Sequence, residues 1–140
     1  MALNGPVMGG GAELLTAMDY VIAAESSKIG FVHAKLGVSP GWGGGSRLME
    51  KIGQRHALIS LLTAKCHTPN RWLELGLVDE VVQNGEALAS AFRLAKTVLD
   101  NDMDAVLGIL GMLKGGRPEA DVFLSLWGGD AHKEALGLKS

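Results

Sequence analysis

Asn4-Gly5-Pro6-Val7-Met8-Gly9-Gly10-Gly11-Ala12-Glu13-Leu14 is the stretch on which the fold turns. The run from Leu3 to Met8 reads as the end of a strand and a turn, and residues 10–18 as a short helix whose first turn is all small residues. Such a first turn lets a ligand approach the backbone and leaves its N–H groups pointing outward. With the positive end of the helix dipole, those donors suit a developing oxyanion or a phosphate. Glu13 is expected one turn in, above or beside the same donors. Neither common phosphate motif fits: the run lacks the last glycine of a Rossmann fingerprint and the Gly-Lys-Ser/Thr ending of a Walker A loop. A tight turn for close helix packing would use the same glycines.

Working outward, Asp19-Tyr20-Val21-Ile22-Ala23-Ala24 reads as a buried strand and Lys28-Ile29-Gly30-Phe31-Val32 as a second, closely linked through Glu25-Ser26-Ser27. Strand, helix, strand in that order is an α/β unit. Half of the 20 glycines lie in the first 45 residues, where tight backbone geometry is being specified. Gly37-Val38-Ser39-Pro40-Gly41-Trp42-Gly43-Gly44-Gly45 is a loop, followed by a short helix stopped by Gly53 and another over residues 55–64. Pro69 at a first helical turn and Gly76 as a C-cap bound one more helix before a strand at Leu77-Val78-Asp79-Glu80-Val81-Val82. From Glu86 onwards apolar residues recur at three- and four-residue intervals, with a break at Trp127-Gly128-Gly129. Residues 1–84 therefore read as an α/β core and 85–140 as a helical region. Three or four short strands would leave exposed sheet edges, so oligomerisation or truncation is expected.

The 140 residues are a single-domain length, and an apolar fraction of 47% with 20% charged residues is ordinary for a globular protein. With 13 basic against 15 acidic side chains and no basic block, a nucleic-acid partner is not expected. The apolar runs are far short of the ~20 residues of a spanning helix, and the first residues do not read as a signal peptide. A cytoplasmic location without membrane contact is the expectation. One cysteine, Cys66, excludes an internal disulfide, and the four histidines have no metal-ligand spacing. No metal site is expected.

Isolated residues are ambiguous. Cys66 beside His67 could pair nucleophile and base, although adjacent residues point apart on most backbones. His33 follows a strand and is competent for proton transfer if it lines a pocket, or is a hydrogen-bonded structural residue. Trp42 is a core plug or the aromatic wall of a ligand site. The loop from Pro40 to Gly45 offers a second helix start with exposed amides.

Taken together, Asn4 to Leu14, Asp19, Gly37-Val38-Ser39-Pro40-Gly41-Trp42-Gly43-Gly44, Arg47-Leu48, Gly53, Ala57 and Gly76-Leu77-Val78-Asp79-Glu80-Val81-Val82 closely resemble the enoyl-CoA hydratase/isomerase family, the crotonase superfamily. The agreement spans residues 3 to 82. Phe31-Val32-His33, Pro40-Gly41-Trp42-Gly43-Gly44 and Leu126-Trp127-Gly128-Gly129-Asp130-Ala131-His132 resemble the branch that decarboxylates malonyl-type CoA thioesters. The resemblance implies a crotonase-like (ClpP/crotonase) spiral of βαβ units, truncated on its N-terminal side, with a helical C-terminal region that assembles homo-oligomers, trimers or hexamers.

The same resemblance implies a coenzyme A thioester as substrate or ligand, with no permanently bound cofactor, and chemistry through an enolate held by two backbone N–H groups. Gly10 matches the glycine supplying one of them, and Glu13 matches the first hydratase carboxylate. The second hydratase carboxylate falls on His33, which argues against ordinary hydration. Decarboxylation fits better, since it needs an oxyanion hole, a carboxylate pocket and one proton donor, for which His33 or Glu13 would serve. Gly9, Gly11, Pro40, Gly41, Trp42 and Gly43 are the expected substrate contacts, the helix start near Gly43 bearing on the thioester or carboxylate. The alternatives are an inactive homologue acting as an assembly or ligand-binding module, and a hydratase/isomerase or thioester hydrolase.

Overall fold

The computed structural model describes residues 1–138. Among them are six short strands: β1 Ala2–Leu3, β2 Val7–Met8, β3 Ile22–Ala24, β4 Ile29–Gly30, β5 Cys66–His67 and β6 Glu80–Val82. They form two sheets of three, ordered β1-β3-β6 and β2-β4-β5. The first is parallel throughout; in the second β2 and β4 are parallel and β5 is antiparallel to β4. Successive strands β1 to β4 alternate between the sheets. The chain thus coils, laying one strand in each sheet per turn, and α1 (Gly10–Leu15) carries it from β2 back to the first sheet. This is the expected spiral α/β core.

Glu25-Ser26-Ser27 is a close link, as its sequence suggests, but the strands it joins belong to different sheets. Ser27 is buried and its hydroxyl donates to the Leu3 carbonyl (3.3 Å), tying that corner to β1. α1 is shorter than residues 10–18 because the backbone tightens after Leu15: the N–H groups of Thr16, Ala17 and Met18 each bond three residues back.

The remaining helices of the core follow, with Trp72 on the last of them. They are α2 (Gly44–Ile52), α3 (Gln54–Thr63) and α4 (Pro69–Leu75), with a single 3₁₀ turn at His33–Leu36 before them. Proline opens α4 and Gly76, at φ 86°, closes it, as read from the sequence. Trp72 is fully buried; its indole Nε1 donates to the Ile29 carbonyl (3.0 Å) and its ring meets Phe31 edge-on at 5.7 Å. Leu3, Leu15, Val21, Ile29, Leu48, Leu77 and Val78 complete the packing. Asp79 closes the first sheet, its carboxylate accepting the Val21 N–H at 2.7 Å.

The chain divides into two compact units, Met1–Phe92 and the part from Arg93 onwards, with α5 (Ala87–Leu99) running across the division. The second unit holds α6 (Met103–Gly115), α7 (Glu119–Leu126) and α8 (Asp130–Ala135). Asp102 caps α6 by accepting the Ala105 N–H at 2.9 Å. The break at Trp127-Gly128-Gly129 lies between α7 and α8, where Trp127 stacks between Phe123 (5.0 Å) and His132 (4.4 Å). Among the described residues no helix is long and apolar enough to cross a membrane.

Candidate active site

Gly9, Gly10 and Gly11 are each constrained in a different way. Gly9 sits at φ 55°, ψ −122°, a conformation closed to L side chains, and its N–H donates to the Gly30 carbonyl at 3.0 Å. A Cβ on Gly10 would lie 2.6 Å from the Trp42 ring, so the indole rests against the backbone of Gly10 itself. A Cβ on Gly11 would come within 3.2 Å of Val7 Cγ1, where α1 meets β2. Among the described residues the Gly10 N–H has no backbone acceptor, as expected for the first turn of a helix.

The hydrogen bonds of the Glu13 carboxylate go to other groups. Its buried carboxylate is gripped by the loop before α2: Oε2 accepts from the N–H groups of Trp42 (2.8 Å) and Gly44 (3.0 Å), and Oε1 from Gly41 (3.3 Å). Oε1 also meets His33 Nε2 at 2.9 Å. Burial alone pushes this carboxyl up. The amides of Trp42, Gly44 and Gly41, with the His33 ring, outweigh that effect and hold it below its ordinary value. An ionised carboxylate can only accept, so His33 Nε2 carries the hydrogen. The other ring nitrogen, Nδ1, is buried and has no partner among the described residues.

The second helix start therefore has its anion already. Pro40, Gly41, Trp42 and Gly43 were expected to contact substrate at this helix start; instead the N–H groups of Gly41, Trp42 and Gly44 are spent on Glu13. Gly43 takes φ 76° as the residue preceding α2, and Pro40 packs near Gly45. Glu13 as a proton donor is corrected on the same ground, because both of its oxygens are occupied as acceptors. Trp42 is 64% exposed, which removes the core-plug option and leaves a free aromatic face beside Gly10.

Three residues that carried no site role in the sequence build this arrangement, two of them, Gly44 and Arg47, within the family motif. Gly44 must be glycine because a Cβ there would fall 2.4 Å from Glu13 Cγ. Arg47 clamps the loop to α1, donating to the Trp42 carbonyl (2.8 Å) and to Thr16 Oγ1 (3.0 Å). Thr16 in turn donates to the Glu13 carbonyl at 2.6 Å. The only trace of these roles in the sequence is the recurrence of glycine and arginine after Trp42. Cys66 and His67 do not pair: Cys66 is exposed with Sγ 3.3 Å from Met8 Sδ, while the His67 ring meets Trp72 at 5.9 Å. Among the described residues no three His, Cys, Asp or Glu side chains cluster as a metal ion would need.

A spiral of two alternating sheets with a glycine turn opening a helix over one of them defines a class of fold. The enoyl-CoA hydratase/isomerase family model matches residues 1–111. The chain belongs to that family. It is 37% identical to the ethylmalonyl-CoA decarboxylase of Xenopus laevis over 145 residues, 96% of this chain and 48% of that protein. It is 38% identical to the ethylmalonyl-CoA decarboxylase of Rattus norvegicus over 149 residues, 98% of this chain and 50% of that one. Among solved structures, Pseudomonas aeruginosa DspI matches with a TM-score of 0.88 at 29% identity, covering 97% of this chain and 55% of the other. The chain spans about half the length of the curated relatives it matches.

Proposed function

We propose that this chain carries one half of an acyl-CoA lyase site, in which a malonyl-type CoA thioester loses CO2 and the resulting enolate is held at the Gly10 N–H. The observation that carries this is the Gly9-Gly10 turn: an amide without a backbone acceptor at the start of α1, with the exposed face of Trp42 against it. The thioester oxygen would accept from Gly10, and the acyl group would lie along the indole. Gly9 and Gly11 give the turn its shape. The C–C bond to the carboxylate breaks, its electron pair enters the enolate, and a proton then goes to the α-carbon. One preorganised donor of this kind is worth about 10²–10³ in rate. The second donor, and much of the coenzyme A site, belong to the remaining half of a family fold. Coenzyme A thioester is thus substrate rather than resident cofactor.

Hydration is disfavoured because His33 stands at the second carboxylate position and Glu13 has no free oxygen to place a water. The test is calorimetric binding of ethylmalonyl-CoA and methylmalonyl-CoA, followed by release of labelled CO2. Binding with CO2 release is expected once the other half of the fold is present, in the same or a separate chain. No binding at millimolar thioester under that condition would overturn the acyl-CoA reading in favour of an assembly module. Binding with hydration or hydrolysis in place of CO2 would overturn the decarboxylase reading alone.

A further inference from the structure

We propose that Arg47 is a positioning residue for acyl-group selection: it holds the Trp42 indole at a fixed place beside Gly10, and the fixed ring limits the size of the substituent that a substrate α-carbon can carry there. This rests on the acyl-CoA reading above and adds to it what sets the acyl preference.

The indole touches the candidate site itself. Its Cζ3, Cη2 and Cε3 atoms lie 2.6, 2.9 and 3.2 Å from where a Cβ on Gly10 would begin, so the six-membered ring takes the space of a side chain on that residue. An oxygen accepting from the Gly10 N–H stands about 2.9 Å from the nitrogen, and the α-carbon is bonded to the carbon that bears this oxygen. Its substituents are therefore within reach of the ring, and the ring is open to them.

A largely exposed indole has little packing to keep it in one place. Its main chain does so instead. The Trp42 N–H donates to Glu13 Oε2 (2.8 Å), and its carbonyl accepts from Arg47 Nη2 (2.8 Å). Arg47 Nε donates in turn to Oγ1 of Thr16 (3.0 Å), the residue that closes α1. Both sides of Trp42 are thus tied to the helix that begins at Gly10. The guanidinium also lies against the turn after Trp42, since a Cβ on Gly43 would fall 2.6 Å from Nη1. Among the described residues the oxygens that Arg47 meets, those of Thr16, Trp42 and the Glu13 main chain, are all neutral. What the site uses is the forked reach of its donors and not an ion pair.

A fixed apolar wall discriminates by size, by about 10–200-fold per methylene, and a ring free to swing forfeits this. In the assembled enzyme, ethylmalonyl-CoA should exceed butylmalonyl-CoA in kcat/KM for CO2 release by at least about 10-fold. Arg47→Met and Trp42→Ala should each bring that ratio towards one, and the double variant should go no further than Trp42→Ala alone. Equal values for the two thioesters in the unaltered enzyme, or a ratio that Arg47→Met leaves intact, would overturn the proposal with the acyl-CoA reading still standing. Failure of the unaltered enzyme to bind thioester would instead sink that reading and the proposal together. The chain by itself offers a check without turnover, the proton–nitrogen-15 NOE of the tryptophan indole N–H groups. The Trp42 value should be that of an ordered group in the parent and should fall in Arg47→Met, with buried Trp72 unchanged as the sign of an intact fold. A mobile Trp42 indole in the parent, or an unchanged one in the folded variant, would also count against it.

Discussion

Glu13 does its work as an anion that never leaves the protein's own grip. Its folded-state pKa lies below the ordinary value, chiefly through the amides of Trp42, Gly44 and Gly41, which prevail against burial. The unfolded chain therefore takes up this proton at a higher pH than the folded one. The stability Glu13 contributes is present in full above about pH 5 and is lost as the pH falls below the ordinary carboxylate range near 4 and through the depressed folded value. Urea midpoints measured from neutrality into that acid range should fall more steeply for the native chain than for Glu13→Gln. At neutrality the Gln variant should itself be weaker by about 1–3 kcal/mol, because an amide NH2 must then face a donor or lose one. Parallel acid profiles for the two proteins would show that the carboxylate is not under this strain-free clamp. The importance of Glu13 was visible in the sequence, but its partners were not. They lie 20 to 31 residues away, and only the folded loop brings their N–H groups together.

At the scale of elements, helices were easier to read than strands. A helix such as α4 announces both of its ends, through proline at the start and glycine at φ 86° beyond its last residue. Strands of two or three residues carry no period, so β5 at Cys66–His67 escaped notice and the longer apolar runs shrank to their paired centres. What holds these short strands is the packing between them, above all Trp72. Trp72→Phe keeps most of the ring but leaves the Ile29 carbonyl without its donor inside the core. Loss of about 1–3 kcal/mol is expected in chemical denaturation, most of it from that stranded acceptor. A variant as stable as the parent would mean that the ring alone, and not its hydrogen bond, secures β4.

For the whole molecule, both sheets end in open edges and the helices from α5 onwards carry Leu88, Phe92, Leu107, Leu113 and Leu124 largely exposed. Apolar surface of that extent on helices is usually covered in solution. Native mass spectrometry and light scattering should find a species heavier than the 14.7 kDa chain, with a trimer or hexamer the expected form. A stable monomer at micromolar concentration would contradict this. The alternating sheet order explains why a family fold is legible from residues 3 to 82 alone. At β2 small residues stand where the strand passes into α1, and at β3 apolar residues stand where the strand is buried. Those local features are written in adjacent positions, so the sequence by itself determined the α/β core, the glycine turn at Gly9-Gly10-Gly11 and the helical region, while the spiral followed from the family resemblance. Only the tertiary structure decided that Glu13 is a clamp, that Trp42 stands open beside Gly10, and that His33 turns Nε2 to the carboxylate and keeps Nδ1 bare. Those outcomes depend on hydrogen bonds between residues far apart in the chain, whose partners are chosen by packing and not by spacing.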